Sequence, residues 1–277
     1  MTFSIAARSA DGTTYGVAVA SKFLAVGAVV PAASADVGAL ATQAWANLAY
    51  RPDGMRLLRE GKSAQETLDA LVAADEGRDV RQAGVVDAKG RSATYTGSGC
   101  TPWAGGVHGD GYAIQGNILT GPDVVAAMEV AWLATGEDEP LVRRLLAALT
   151  AGDRAGGDSR GRQSAAVYVV TPDGGYGGGS DALVDLRVDD HPDPVPELAR
   201  MLDIHDMLFN KADPADCLPL EGDLAAEVLA RLESVGHTGD TVAAALESWA
   251  GVENLEERMV PGLIDPVVLA HLRATTA

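Results

Sequence analysis

Cysteine, aromatic residues and basic charge are all scarce in this chain, and each scarcity removes a class of explanation. Only two cysteines, Cys100 and Cys217, occur in 277 residues. They supply neither a disulfide framework nor a metal-ligand spacing, so both are expected as buried or free thiols, and no metal or other cofactor is expected. Aromatic residues make up 5% of a chain that is 47% hydrophobic. The core must therefore be built mostly from Ala, Val and Leu, in a globular composition. Against 39 Asp and Glu stand 21 Lys and Arg, for a net charge of −18. A field of that sign repels polyanions, which excludes nucleic acid and an anionic bilayer as partners. The apolar run at residues 23–33 is flanked by Lys22, interrupted by Pro31 and too short to span a membrane. It imitates the hydrophobic part of a secretion signal, but cleavage after it would remove the hairpin described next, so a cytoplasmic location is expected.

What is present begins with Met1-Thr2-Phe3-Ser4-Ile5-Ala6-Ala7-Arg8. A residue as small as Thr permits trimming of Met1, which would leave a β-hydroxyl and a free α-amine on Thr2. An α-amine titrates near ~7.7–8.0, so much of it is neutral at cellular pH and able to accept the hydroxyl proton. The pair is a nucleophile with its own base, and no histidine is needed. The plainer reading is that Thr is simply common after Met. Phe3, Ile5 and Ala7 alternate with Ser4 and Ala6, residues 9–14 supply turn chemistry around Asp11-Gly12, and residues 15–20 resume a strand pattern. The chain thus opens with a hairpin headed by the candidate nucleophile.

Further along, residues 52–60 predict a short helix. Ser63 opens a stronger one, with Glu66 as its capping-box partner and Leu68, Leu71 and Val72 as the stripe that covers a sheet. Strands are predicted at 83–86 and 92–96 around the turn Asp87-Ala88-Lys89-Gly90. Residues 96–111 are Gly-rich and read as a loop, either one that lets backbone approach a ligand or plain surface. A strand at 112–115, helices at 121–133 and 140–149, and strands at 165–170 and 182–188 follow. The Gly-rich stretch 171–179 lacks the Lys-Ser/Thr ending of a nucleotide loop and reads as a hairpin connection. Residues 189–196 carry three alternating prolines and read as a linker, followed by a helix at 197–209. Asp203, His205 and Asp206 lack a dependable metal spacing and read as a solvated face. From Asp213 the chain holds 12 acids and 3 bases, with helical segments near 223–233, 241–249 and 266–274. The expected division is a main domain at 1–212 and a small acidic helical domain at 213–277.

From Gly16-Val17-Ala18-Val19-Ala20-Ser21-Lys22 to Ala41-Thr42-Gln43-Ala44-Trp45-Ala46-Asn47, the sequence resembles the bacterial domain-of-unknown-function 1028 family, which is assigned to the N-terminal-nucleophile (Ntn) hydrolase superfamily. The resemblance implies an α+β fold, a four-layer αββα sandwich followed by a small helical domain, and hydrolysis of an amide-like bond in a small molecule. Gly116-Asn117-Ile118-Leu119 matches a motif of that family. Asn117 suits an oxyanion donor, because an amide NH2 can be aimed rigidly at developing charge, although Asn also forms turns and caps helices. Lys22 or Ser21, ending the second hairpin strand, is placed to tune the Thr2 amine or contact substrate, or merely to meet solvent. Gln43 and Asn47 line a pocket or satisfy buried backbone groups.

Asp158-Ser159-Arg160-Gly161-Arg162-Gln163 stands on the loop entering the 165–170 strand. Arg160 and Arg162, with Asp158 and Gln163, make a clamp for a substrate carboxylate or an internal salt bridge that pins the loop. The tail resembles a peptidoglycan-binding segment found in some members of the same family, and Asn254-Leu255-Glu256-Glu257-Arg258 within it serves subunit contact, as in a homo-oligomer, or stability. Two other readings stand beside the hydrolase: a noncatalytic small-molecule binder, favoured if Met1 is retained, and a peptidoglycan-associated protein, which requires export.

Overall fold

The computed structural model describes residues 2–276. The chain opens with the expected hairpin: β1 (Thr2–Arg8) and β2 (Tyr15–Ser21) pair antiparallel, with Phe3 opposite Ala20 and Arg8 opposite Tyr15. Asp11 closes the turn by accepting from Ser9 Oγ at 2.5 Å and Thr13 N at 3.1 Å. Gly12 supplies the left-handed φ of 77° that a side chain would resist. Every residue of the two strands except Arg8 is buried, so both faces of the hairpin must be covered.

One cover is a four-stranded antiparallel sheet of β3 (Pro31–Ser34), β4 (Gly38–Ala44), β5 (Arg81–Asp87) and β6 (Ser92–Thr96), in that order. The hairpin itself sits inside a six-stranded antiparallel sheet with β7 (Gly105–Gly109), β8 (Tyr112–Asn117), β9 (Ser164–Val170) and β10 (Ala182–Val188), ordered β10-β9-β2-β1-β8-β7. Period-two alternation assigns the faces. Ala6, Val17 and Val19 meet Ala39, Ala41 and Val86 in one apolar cluster between the sheets. Their alternates Leu40 and Val85 instead face Tyr50, Leu58, Leu68 and Leu71 on α1 (Tyr50–Arg59) and α2 (Ala64–Ala73). On the far side, α3 (Asp123–Ala134) and α4 (Leu141–Arg154) pack on the six-stranded sheet. Each fully buried Leu or Val contributes about 1.5–3 kcal/mol here, and the fold is a mixed α/β arrangement of antiparallel sheets and helices.

The capping box at α2 forms as read: Ser63 Oγ accepts from Glu66 N at 3.2 Å, and Glu66 Oε2 accepts from Ser63 N at 2.8 Å. Three stretches differ from the expectation. β3 begins within the apolar run at 23–33, behind a 3-10 turn at Val26–Ala28. β7 lies within the Gly-rich segment. Its three glycines have poor strand propensity, but tertiary pairing to β8 overrides that, and Gly106 is needed because a Cβ there would meet Ile114 O and Thr94. α5 (Pro194–Phe209) begins inside the predicted linker. Proline is compatible with a first helical turn, whose N–H groups lack intrahelical acceptors in any case.

The chain divides into two compact units, one ending at Arg200 and the other starting at Met201. The second unit is built on α6 (Gly222–Ser234), α7 (Val242–Glu253) and α8 (Pro266–Thr275), with a two-residue bridge between β11 (Leu218–Pro219) and β12 (Leu263–Ile264). Val228, Leu232, Leu246, Trp249, Leu269 and Leu272 form its own core. A buried ion pair, Arg258 Nη1 to Asp265 Oδ2 at 2.7 Å, ties that core together, and Arg258 also donates to the carbonyls of Asp206 and Met207. The eight α-helices named here include none long and apolar enough to cross a membrane, among the described residues.

Candidate functional site

The site begins where three neighbouring strands reach the same end of the six-stranded sheet. Thr2 lies opposite Asn117 on β8, and the β1–β2 register carries it to Ser21 on the other side. Ser21, Thr2 and Asn117 therefore form a row of polar side chains on the face toward the second sheet. Thr2 Oγ1 and Ser21 Oγ are 3.1 Å apart and hydrogen-bonded, with Thr2 6% and Ser21 2% exposed.

Behind that row lies a buried network of carboxamides. Gln43 and Gln82 are cross-strand partners on β4 and β5 and project between the sheets. Gln43 Nε2 donates to Thr2 O at 3.2 Å and to Gln82 Oε1 at 2.8 Å, while Gln43 Oε1 accepts from Ser4 Oγ at 2.6 Å. Asn117 Nδ2 donates to the same Gln82 Oε1 at 2.9 Å, and Gln82 Nε2 donates to Gly116 O at 2.7 Å and Thr96 Oγ1 at 2.9 Å. Gln115 Nε2 completes the set by donating to Ser4 Oγ at 2.7 Å. Gly84 makes room for it, since a Cβ there would overlap the Gln115 carboxamide. Buried amides are costly unless paired, and a paired set fixes geometry. The consequence is that the backbone of Thr2 and the side chain of Asn117 are both held through Gln82 and Gln43.

In front of Thr2 opens a cleft of about 390 Å³, lined by Thr2, Gln43, Arg81, Arg160 and an apolar wall that includes Phe23, Val26, Val30, Trp45 and Leu48. The loop bearing Phe23 and Val26 is anchored by Ser164, whose hydroxyl donates to Phe23 O and accepts from Val26 N at 3.1 Å. Backbone strain collects around the same space. Ala44 at the end of β4 has φ 66°, and Ile118, directly after Asn117, has φ 50°. A left-handed conformation costs roughly 1–3 kcal/mol for such residues. Ile118 is retained by its N–H to Thr101 O at 3.0 Å and by Ser159 N donating to its carbonyl at 3.3 Å.

Both charged residues lining this cleft are arginines, and their carboxylate partners stand behind them. Asp158, whose side chain is 2% exposed, pairs with Arg160 at 3.3 Å. The same carboxylate accepts from Lys22 N at 2.7 Å and Arg160 N at 2.9 Å, so one buried charge ties the end of β2 to the loop before β9. Asp75 grips Arg81 through Nε at 2.9 Å and accepts from Asn47 Nδ2 at 3.0 Å. The Arg81 guanidinium, with help from Asn47 and Gly77 N, holds the Asp75 carboxyl well below the usual carboxylate range.

Of the residues singled out in the sequence, Thr2, Ser21, Gln43, Asn117, Asp158 and Arg160 are brought together, although Asn117 is 1% exposed and does not line the cleft. The others go elsewhere. Lys22 contributes its backbone N–H to Asp158 while its Nζ reaches Arg162 O at 3.1 Å. The Asn47 side chain is committed to Asp75 and to Ala49 N. Arg162 pairs with Asp153 at 2.7 Å and Asp193 at 3.2 Å and lines a separate cleft of about 340 Å³ with Ser21 and Asp158. Gln163 donates to Asp190 at 3.1 Å. Sequence reasoning missed Ser4, Gln82, Gln115, Arg81 and Phe23. The signal for Gln82 was its phase: it shares strand parity with Val86, which is in the core between the sheets.

Residues 2–198 match the model of a family described as "Family of unknown function (DUF1028)". The chain belongs to that family. Residues 208–272 match a model described as "Putative peptidoglycan binding domain". Among solved structures, the chain is similar to protein SPO2555 from Silicibacter pomeroyi, a DUF1028 protein, with 30% identity, a TM-score of 0.66, and coverage of 82% of this chain and 92% of that one. A second similar structure is Anbu, the ancestral beta-subunit, from Yersinia bercovieri, at 14% identity, a TM-score of 0.30, and coverage of 73% of this chain and 93% of that one. No curated protein matches the chain.

Proposed function

We propose that the first unit is an N-terminal-nucleophile hydrolase, with the αββα sandwich of that class, and that Thr2 cleaves an amide-like C–N bond in a small molecule. The observation that carries the reading is the Thr2 Oγ1–Ser21 Oγ pair at 3.1 Å on the first residue of β1, at the head of a cleft. The reading requires Thr2 to be the first residue of the mature chain. Its α-amine then accepts the hydroxyl proton, and the oxygen adds to the amide carbonyl carbon. Ser21 orients that hydroxyl. Asn117, opposite Thr2 on β8, is the oxyanion donor in this reading, which requires its amide to turn into the cleft when substrate binds: Gln82 engages one amide proton, and the second has no acceptor among the described residues. Collapse of the tetrahedral intermediate breaks the C–N bond, and the leaving amine takes the proton held on the α-ammonium. Water then attacks the Thr2 ester with the amine again as base, releasing the acid and restoring Thr2. The test is turnover of a panel of small amides by wild type, Thr2→Ser and Thr2→Ala. Thr2→Ser should retain activity, and Thr2→Ala should lose it by several orders of magnitude. Equal turnover by wild type and Thr2→Ala would remove Thr2 from the chemistry.

The match of residues 208–272 supports a second role, in which the C-terminal unit holds the protein to cell-wall material. Retention of the full chain on purified peptidoglycan tests it, and passage of the chain with the unbound fraction would dismiss it.

A further inference from the structure

Charge in the Thr2 cleft is of the opposite sign to charge on the molecule. The chain carries −18, yet the two charged side chains lining the cleft are Arg81 and Arg160. They are not equivalent. Arg81 is spoken for: its Nε and one Nη face Asp75, and its other Nη donates to Trp45 O. Arg160 meets Asp158 through Nε at 3.4 Å and Nη2 at 3.3 Å, both long for a charge-assisted contact, and its Nη1 has no acceptor among the described residues. Asp158 is meanwhile shared with two backbone N–H groups at 2.7 and 2.9 Å. Arg160 is thus positioned by its aspartate but left with a donor to spend, and its side chain is 47% exposed. Apart from Thr2 and Gln43 the rest of the lining is apolar, and it includes two large exposed rings, Trp45 at 76% and Phe23 at 51%. Two large exposed rings at one opening mark a surface that an apolar group covers.

We infer that the cleft takes a small amide bearing one carboxylate and one aryl or long acyl group, with the carboxylate on Arg160 and the apolar group against Trp45 and Phe23. The inference rests on the Thr2 reading for the position of the scissile bond, but the recognition does not depend on Thr2 acting. Binding measured on Thr2→Ala therefore separates the two: a nucleophile elsewhere would leave the recognition intact, and a wrong ligand class would leave Thr2 chemistry intact.

The probes are N-benzoylglycine, its neutral carboxamide, and N-acetylglycine, titrated calorimetrically against wild type, Thr2→Ala, Arg160→Lys, Arg162→Lys and Trp45→Ala. Wild type and Thr2→Ala should bind N-benzoylglycine roughly ten- to a hundredfold tighter than its carboxamide. Arg160→Lys keeps the charge but loses the planar fork and should cut that ratio about tenfold, whereas Arg162→Lys, on the other cleft, should keep it. Trp45→Ala, a substitution at an exposed side chain, should cut the preference for N-benzoylglycine over N-acetylglycine by about tenfold. Equal affinity of wild type for the carboxylate and the carboxamide, a ratio unchanged in Arg160→Lys, or no binding of any probe would each overturn the inference.

Discussion

Thr2 Oγ1 and Ser21 Oγ share a buried hydrogen bond of 3.1 Å across the first two strands of the chain. No histidine joins this pair among the described residues; Ser21 Oγ orients the Thr2 hydroxyl, while the carboxamide network holds the Thr2 backbone carbonyl through Gln43 Nε2 at 3.2 Å. Ser21→Ala should leave the fold in place at a cost of about 1–3 kcal/mol, the range for removing one partner of a buried hydrogen bond. Hydrolysis should fall as well, about ten- to a hundredfold in kcat with little change in KM, because the hydroxyl is no longer aimed. Steady-state kinetics beside a thermal melt separate the two effects.

Gln82 should prove the most sensitive carboxamide. Its Oε1 accepts from both Gln43 and Asn117, and its Nε2 serves Thr96 Oγ1 and Gly116 O. Gln82→Leu keeps the approximate volume but strands buried donors at about 1–3 kcal/mol each. A loss of at least about 2 kcal/mol is expected, read as a lower urea midpoint with an unchanged slope. Activity should fall with it, since Asn117 loses its anchor.

Asp75 makes a pH-dependent contribution whose sign follows from its lowered pKa. The carboxyl ionises more readily folded, beside Arg81 and Asn47, than unfolded, where it titrates near ~3.9. Its stabilisation is complete above the unfolded value and is lost as pH falls toward the folded one. The melting-temperature gap between wild type and Asp75→Asn should therefore be constant from pH 8 to about 5 and narrow below about pH 4. A gap that widened on acidification would contradict the assignment.

How much of this was legible in the sequence depends on distance along the chain. The hairpin, its Asp11-Gly12 turn and the Ser63–Glu66 capping box are written in neighbouring residues and form as read. The carboxamide network is not local. Gln43, Gln82, Gln115 and Asn117 come from three strands on two sheets, and only sheet-on-sheet packing brings them within 3 Å of one another or of Ser4. Strand parity would have placed Gln82 inward, but not opposite Asn117. The two arginines show a different limit. Arg160 and Arg162 flank Gly161 on one loop beside Asp158, which made them read as one clamp. Gly161 between them takes φ 109°, a left-handed turn of the backbone, and the pair is divided between two clefts. β7 was hidden for the converse reason, because its three glycines are imposed by close neighbours and not by strand propensity.

The central claim is that Thr2 is the nucleophile, and the most direct measurement is a mass spectrum of the purified protein before and after exposure to a small β-lactone, followed by peptide mapping. The account predicts a mature chain that begins at Thr2 and gains one acyl group on that residue, with no adduct on Thr2→Ala. A chain that keeps Met1, or an acyl group mapped to any other residue while Thr2 stays unmodified, would contradict it.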